Sequence, residues 1–233
     1  MGRRSISRLL QYIDLGIVDY KEAWDFQKSL FDRRYRGEIP DTLILLQHPH
    51  TYTLGKVADR NNLIGSEEFL ETNKISVYDI DRGGDITYHG PGQIVGYQIF
   101  DLKKWKQDTH LFLRTLEQII IDVCKEYGLD PGRKDKYTGV WLDERKICAI
   151  GIKVSRWITM HGFAFNVNTD LSFFKGIIPC GIADKEVTSL KNEVGHLFEL
   201  NEIHEKIINN FVKLFNYDEV MKTDLSLFAS YKN

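Results

Sequence analysis

The clearest periodicity lies between Asp108 and Gly128. Phe112, Leu113, Leu116, Ile119, Ile120, Val123 and Cys124 repeat at helical spacing. That spacing predicts a helix with one apolar face, capped by Asp108 or Thr109 and ended by Gly128. On that face Cys124 packs as a small hydrophobe. A second helix is predicted from Asp19, which with Glu22 forms a capping box. Tyr20, Ala23, Trp24, Gln27, Leu30 and Phe31 share its face, and Gly37 and Pro40 stop it. A third runs from about Asn201 through Phe215, with Ile203, Ile207, Ile208, Phe211 and Val212 inward. Ser66 caps a short helix through EEFLE.

Other segments carry strand patterns. TLILLQ (42–47) is an unbroken apolar run, the mark of a strand buried on both faces. SVYDI (76–80) leads into RGGD, and ITYHGPGQIVGYQIFDL reads as a loop followed by a strand. YTGVWL, the turn DER and KICAIGIKV make a hairpin, with ITMHGFAFNV as the next strand. Alternation along KICAIGIKV puts Lys146, Cys148, Ile150 and Ile152 on one face, and Ile147, Ala149, Gly151 and Lys153 on the other. Cys148 then reads as packing and Lys146 as the solvated end of a strand. Interspersed strands and helices with hairpins predict an α/β (α+β) chain, a mixed sheet with packed helices. With no repeat, low-complexity stretch or linker, residues 1–233 read as a single domain.

Composition narrows the function classes. Hydrophobic residues at 42% and charged residues at 27% suit a soluble globular chain with a sizeable core. A net charge of −2 gives no global basic field, so nucleic acid is not an expected partner. No apolar run is long enough to span a bilayer, so neither is a membrane. Cys124, Cys148 and Cys180 are too few and scattered for a disulfide framework. No C-x-x-C pair suggests zinc, and free thiols suit the cytoplasm. The N-terminal MGRRSISRLLQYIDLG is interrupted by Asp14 and lacks a small-residue cleavage site, which argues against a secretory signal. Position 6 is Ile, so it is not a myristoylation site, while its Arg-Ser-Arg flavour leaves a transit peptide open.

Candidate chemistry concentrates in two places. RGGDITYHGPGQ (82–93) combines glycines, which allow close backbone approach, with Arg82, Tyr88, His89 and Gln93. It matches neither G-x-x-x-x-G-K-[ST] nor G-x-G-x-x-G. His48 and His50 form an H-x-H pair, but Pro49 spoils the simple strand geometry and no third ligand has a compelling spacing, so no metal is expected. In IIPCGI (177–182), Cys180 sits between turn formers. Such a cysteine is either a structural loop residue or a nucleophile whose thiolate a nearby ammonium would favour.

The segment RGGDITYHGPGQIVGYQIFDL resembles the octanoyltransferase family, also called lipoate-protein ligase B or lipoyl(octanoyl) transferase. The pattern R-G-G-x-x-T-Y-H-x-P-G-Q with a following Tyr is met from Arg82 to Gln93 and at Tyr97. TGVWL, RKICAIGIKVSRWITMHGFAFNVNTDL and IIPCGI follow in the family's order. The resemblance implies a biotin/lipoate ligase catalytic fold with a main mixed sheet, a smaller sheet and flanking helices. It implies Cys180 as nucleophile and Lys146 as the lysine that lowers its pKa. It implies an acyl pocket formed by Arg82, Gly83, Gly84, Asp85, Ile86, Thr87, Tyr88 and His89, by Ala149, Ile150 and Gly151, and by Gly162, Phe163 and Ala164. The family often has Ser at the position of Ala149 and Leu at that of Phe163. The implied reaction takes octanoyl from octanoyl-acyl carrier protein to the lipoyl-domain lysine of 2-oxoacid dehydrogenases and of glycine cleavage H protein, as the first step of endogenous lipoylation, with no cofactor. The alternative is an ATP-dependent lipoate or biotin ligase on the same fold, although the G-R-G-R-x-G-R loop of biotin ligases is absent.

Overall fold

The computed structural model describes residues 7–135, 137–179 and 186–231. Its centre is a mixed sheet in the order β12-β1-β2-β6-β10-β9-β8-β7, with β11 added on β9. The strands are β1 (Leu9–Ile17), β2 (Asp41–Gln47), β6 (Gln93–Ile99), β7 (Gly132–Lys134), β8 (Tyr137–Leu142), β9 (Arg145–Ser155), β10 (Ile158–Asn166), β11 (Glu186–Val187) and β12 (Glu219–Lys222). A smaller sheet holds β4 (Ser76–Asp79), β3 (Thr51–Leu54) and β5 (Thr87–His89) in that order.

Helices cover both faces of the main sheet. On one, α3 (Thr109–Lys125) and α5 (Leu200–Phe215) bury Leu116, Ile120, Ile203, Ile207 and Phe211 against Leu43, Ile94, Cys148 and Phe165. On the other, α1 (Tyr20–Tyr35) and the short α6 (Ser226–Tyr231) pack on Ile44, Leu46, Val95 and Met160. Cys124 and Cys148 are both fully buried, as their spacing predicts. The expected caps are present: Asp19 accepts from the amides of Lys21 and Glu22, Asp108 from Leu111, and Ser66 from Phe69 at the start of α2 (Glu67–Thr72). Each satisfies an amide that the first turn leaves without an intrahelical partner. A further short helix, α4 (Leu190–Val194), is capped by Ser189, which accepts from the Asn192 amide.

The N-terminal stretch corrects the sequence reading. Residues 9–17 form β1, parallel to both β2 and β12, with Leu10 and Ile13 fully buried. Gln11 and Asp14 hide its alternation. Arg34 is buried, and its Nε donates to Asp41 Oδ1 at 2.9 Å. Asp41 also accepts from the Asp101 amide at 2.9 Å and the Tyr217 hydroxyl at 2.8 Å. One carboxylate thus joins α1, β2, the end of β6 and the turn before β12.

Asp41→Ala is expected to cost about 3 kcal/mol, because it removes the nearer carboxylate from the buried Arg34 guanidinium and leaves it only Asp101 at 3.8 Å. Urea unfolding of the variant beside the wild type measures it.

Candidate functional site

A cavity of about 380 Å³ lies between the main sheet and the loop that links β4 to β5. That volume is within the range of small-molecule sites. Arg82, Gly83, Gly84, Asp85, Ile86, Thr87 and His89 line one side, Ala149–Gly151 and Gly162–Ala164 another, and the rest of the wall includes Lys146, Thr138, Tyr20, Tyr97, His161 and the apolar Val57, Val95, Leu113 and Ile152. Tyr88 is the expected pocket residue that the structure does not bring to it. On β5, Thr87 and His89 face the cavity, so alternation turns Tyr88 into the core of the smaller sheet. There it stacks on Phe173 and shares a hydrogen bond of 2.8 Å with His50 Nδ1. Cys180 and Gly181 lie outside the described residues.

Lys146 is not a solvated strand end. It is 6% exposed, and its ammonium sits 4.7 Å from the centre of the Trp141 ring. Nor does it share a face with Cys148. Val140 pairs with Cys148 but Trp141 with Lys146, so β9 carries one extra residue, Ile147. The resulting bulge sends Ile147 and Cys148 together into the α3 core and turns Lys146 to the cavity with Ala149. Period-2 reasoning fails there because a bulge shifts the phase of everything beyond it. Pro179, directly before Cys180 in the chain, lines a small adjoining space with Lys146, Ala149 and Ala164.

The loop from Arg82 lies close on β9. A Cβ at Gly151 would sit 2.8 Å from the Gly83 carbonyl oxygen, so only glycine permits this approach. The Gly83 amide donates to the Ile152 carbonyl at 2.9 Å. Arg82 Nη2 donates to the Thr53 carbonyl at 2.9 Å and to Thr53 Oγ1 at 3.0 Å.

Two buried histidines are held neutral. His48 Nδ1 donates to the Val18 carbonyl, leaving Nε2 to accept from the Tyr97 hydroxyl, both at 2.7 Å. Burial pulls the His48 pKa from 6.5 down to about 4. His89 is also pushed well down, first by burial and then by His48 and Arg82. Its Nδ1 donates to Gln93 Oε1 at 2.9 Å and its Nε2 accepts from Thr53 Oγ1 at 3.2 Å. The H-x-H pair is therefore not a ligand pair: His48 braces Tyr97, while His50 stacks on Phe173 at 4.0 Å. No group of three metal-ligating side chains occurs among the described residues, and no helix there is long and apolar enough to cross a membrane.

Sequence reasoning did not place Tyr20, Tyr97 or His161 in the cavity wall. Tyr20 opens α1 and reads as core, and His161 sits in a strand whose neighbours are apolar.

The fold has solved counterparts. A lipoate-protein ligase A bound with ATP superposes with a TM-score of 0.76 over 98% of this chain and 97% of that one. Identity is 15%, so the likeness concerns the fold, which is that of the lipoate/biotin ligases. The family model described as the lipoyl protein ligase A/B catalytic domain matches residues 19–212. An octanoyltransferase of Christiangramia forsetii is 50% identical, covering 87% of this chain and 94% of its own. One of Flavobacterium johnsoniae is 47% identical, covering 92% of this chain and 100% of its own. The chain belongs to the lipoyl protein ligase A/B catalytic family and, within it, to the octanoyltransferases, which are acyltransferases.

The neutral histidines set a pH dependence. His48 titrates at about 4 in the fold and 6.5 outside it. Between those values the unfolded chain binds the extra proton, so stability is full above pH 6.5 and falls as pH drops towards 4. His48 alone should remove about 2 kcal/mol between pH 8 and pH 5. Urea unfolding at both pH values measures the loss, and His48→Gln should flatten it. Equal slopes in the two proteins would contradict the buried neutral ring.

Proposed function

We propose that this chain transfers an octanoyl group from octanoyl-acyl carrier protein to the lipoyl-domain lysine of 2-oxoacid dehydrogenases and glycine cleavage H protein, through a thioester on Cys180. The observation that carries this reading is the cavity. Its wall unites Lys146 with thirteen of the fourteen acyl-pocket residues expected from the resemblance, all but Tyr88. The relatives named octanoyltransferase support the acyl group, and they match most of this chain. Pro179 beside Lys146 supports pairing that lysine with the cysteine that follows Pro179 in sequence.

The chemistry balances without a cofactor. The Cys180 thiolate attacks the thioester carbonyl, and the carrier's thiolate leaves and takes a proton. The acceptor lysine, as free amine, then attacks the acyl-enzyme thioester and Cys180 leaves, giving an amide. Dividing the transfer into two steps is covalent catalysis. Lys146 stabilises the thiolate as ammonium and relays protons to the leaving thiol and from the attacking amine. The apolar stretch along Ala149–Gly151 and Phe163–Ala164 holds the chain at about 0.8 kcal/mol per buried methylene. The whole of residues 1–233 acts as one domain. Cys124 and Cys148, free and buried, agree with a reducing compartment such as the cytoplasm.

Intact mass after mixing with octanoyl-acyl carrier protein should show one octanoyl increment, lost in Cys180→Ala and on addition of a lipoyl domain. Lys146→Met should slow transfer by about 100-fold or more. Full transfer by Cys180→Ala would overturn the mechanism. A requirement for ATP and free octanoate would favour adenylation instead.

A further inference from the structure

The cavity changes character along its length. Near Lys146, Ala149 pairs with Ala164; three residues on, Ile152 pairs with His161. At about 3.3 Å per residue these levels are about 10 Å apart. At the near level the paired strand side chains are the methyl groups of Ala149 and Ala164. At the far level His161 Nε2 lies 2.8 Å from Asp81 Oδ1, and Lys153 Nζ 2.5 Å from Asp81 Oδ2. Tyr97, which also lines the cavity, is opposite Gly162 on β6.

His161 reaches this place through an unusual backbone. Strict alternation on β10 would send it with Phe163 and Phe165 into the α3 core. Its φ of 59° instead turns the ring to the α1 side, 6.3 Å from the rings of both Trp24 and Tyr97. A left-handed residue other than glycine within a strand is sparsely populated and marks a position held by its surroundings. Nε2–H donates to Asp81, so Nδ1 presents a lone pair. Nδ1 is buried and has no hydrogen-bond partner among the described residues, while the ring lines the cavity. A saturated hydrocarbon chain offers it no donor.

We infer that His161, held by Asp81, is a polar stop that sets the length of acyl chain the cavity accepts. The inference rests on the octanoyl reading of the site. Three bonds of extended chain reach about 3.3–3.6 Å, so the seven C–C bonds of an octanoyl group reach about 8 Å. That fills the apolar stretch and stops short of the imidazole. A longer chain pushes methylenes against Nδ1 and displaces whatever water donates to it, leaving a buried acceptor unpaired. Length selection then comes from polarity at the far end rather than from volume alone. His161 is a specificity residue here, with no part in bond making.

Calorimetry with free octanoic, decanoic and dodecanoic acids tests this on the full chain, independently of transfer. The wild type should prefer octanoic acid. His161→Leu should raise dodecanoic relative to octanoic affinity by about tenfold or more. His161→Asn, which tolerates the left-handed backbone and stays polar, should keep the wild-type ranking. Longer chains accepted equally by both variants would make volume the determinant and overturn the stop. The unaltered protein provides a second measurement: 8-hydroxyoctanoic acid, whose terminal hydroxyl can donate to Nδ1, should bind at least as tightly as octanoic acid. A tenfold or greater fall, or no binding of any of these acids, would overturn the inference. Length selection without octanoyl transfer would remove the transfer reading and leave the stop standing. Transfer without length selection would do the reverse.

Discussion

One residue more on β9 than on β8, between the Val140–Cys148 and Trp141–Lys146 pairs, turns Lys146 out of the main core and into the cavity. The surroundings are built to hold that bulge. Gly139 has a φ of 132°, and a Cβ there would lie 2.6 Å from the Cys148 carbonyl oxygen and 3.5 Å from Lys146 Cε. Its amide donates to Glu117 Oε1 at 3.1 Å. Glu117 is almost fully buried, and Arg114 and Arg133 donate to its other oxygen at 2.8 and 2.9 Å. A carboxylate on α3 therefore shapes β8, and β8 leaves room for the lysine stem. The chain from helix to cavity consists of contacts that each need a particular residue type.

A second chain of hydrogen bonds ties the smaller sheet to the same place. Arg82 donates to Thr53, Thr53 to His89, and His89 to Gln93. Gln93 Nε2 donates to Asn166 Oδ1 at 2.9 Å, and Asn166 Nδ2 to the Thr188 carbonyl at 3.0 Å. The Thr188 amide then donates to the Lys146 carbonyl at 2.9 Å. Each of these links uses a donor and acceptor buried away from water, so breaking one leaves a costly orphan. The loop that begins at Arg82 and the strand that carries Lys146 are thus parts of one polar scaffold beneath an apolar lining.

Much of this was legible in the sequence, and what was not had identifiable physical causes. The apolar faces of α1, α3 and α5, the β8–β9 hairpin and the burial of β2 follow from periodicity. The cavity-lining runs at 82–87, 149–151 and 162–164 follow from the family resemblance. β1 was missed because Gln11 and Asp14 break its pattern. Lys146 was placed on the wrong face because a bulge leaves no mark in hydrophobic period. His161 was hidden in the same way: a left-handed φ redirects a side chain without changing its neighbours in sequence. Tyr88 shows the converse error, since the motif marks a stretch but alternation sends its middle residue away from the cavity.

The same loop bears on which chemistry the fold performs, because lipoate-ligase folds at 15% identity share the sheet but need not share a mechanism. A triphosphate needs backbone amides and cations left open to it. Here the Gly83 amide is engaged by Ile152 and the Lys56 amide by the Arg82 carbonyl. The Arg82 guanidinium is tied to Thr53 and to the Gly83 carbonyl. The Ile86 amide and Asn62 side chain both donate to Asp85, at 2.7 Å each, and that carboxylate would repel phosphate. With these donors engaged within the fold, the loop is held as a fixed wall of the cavity.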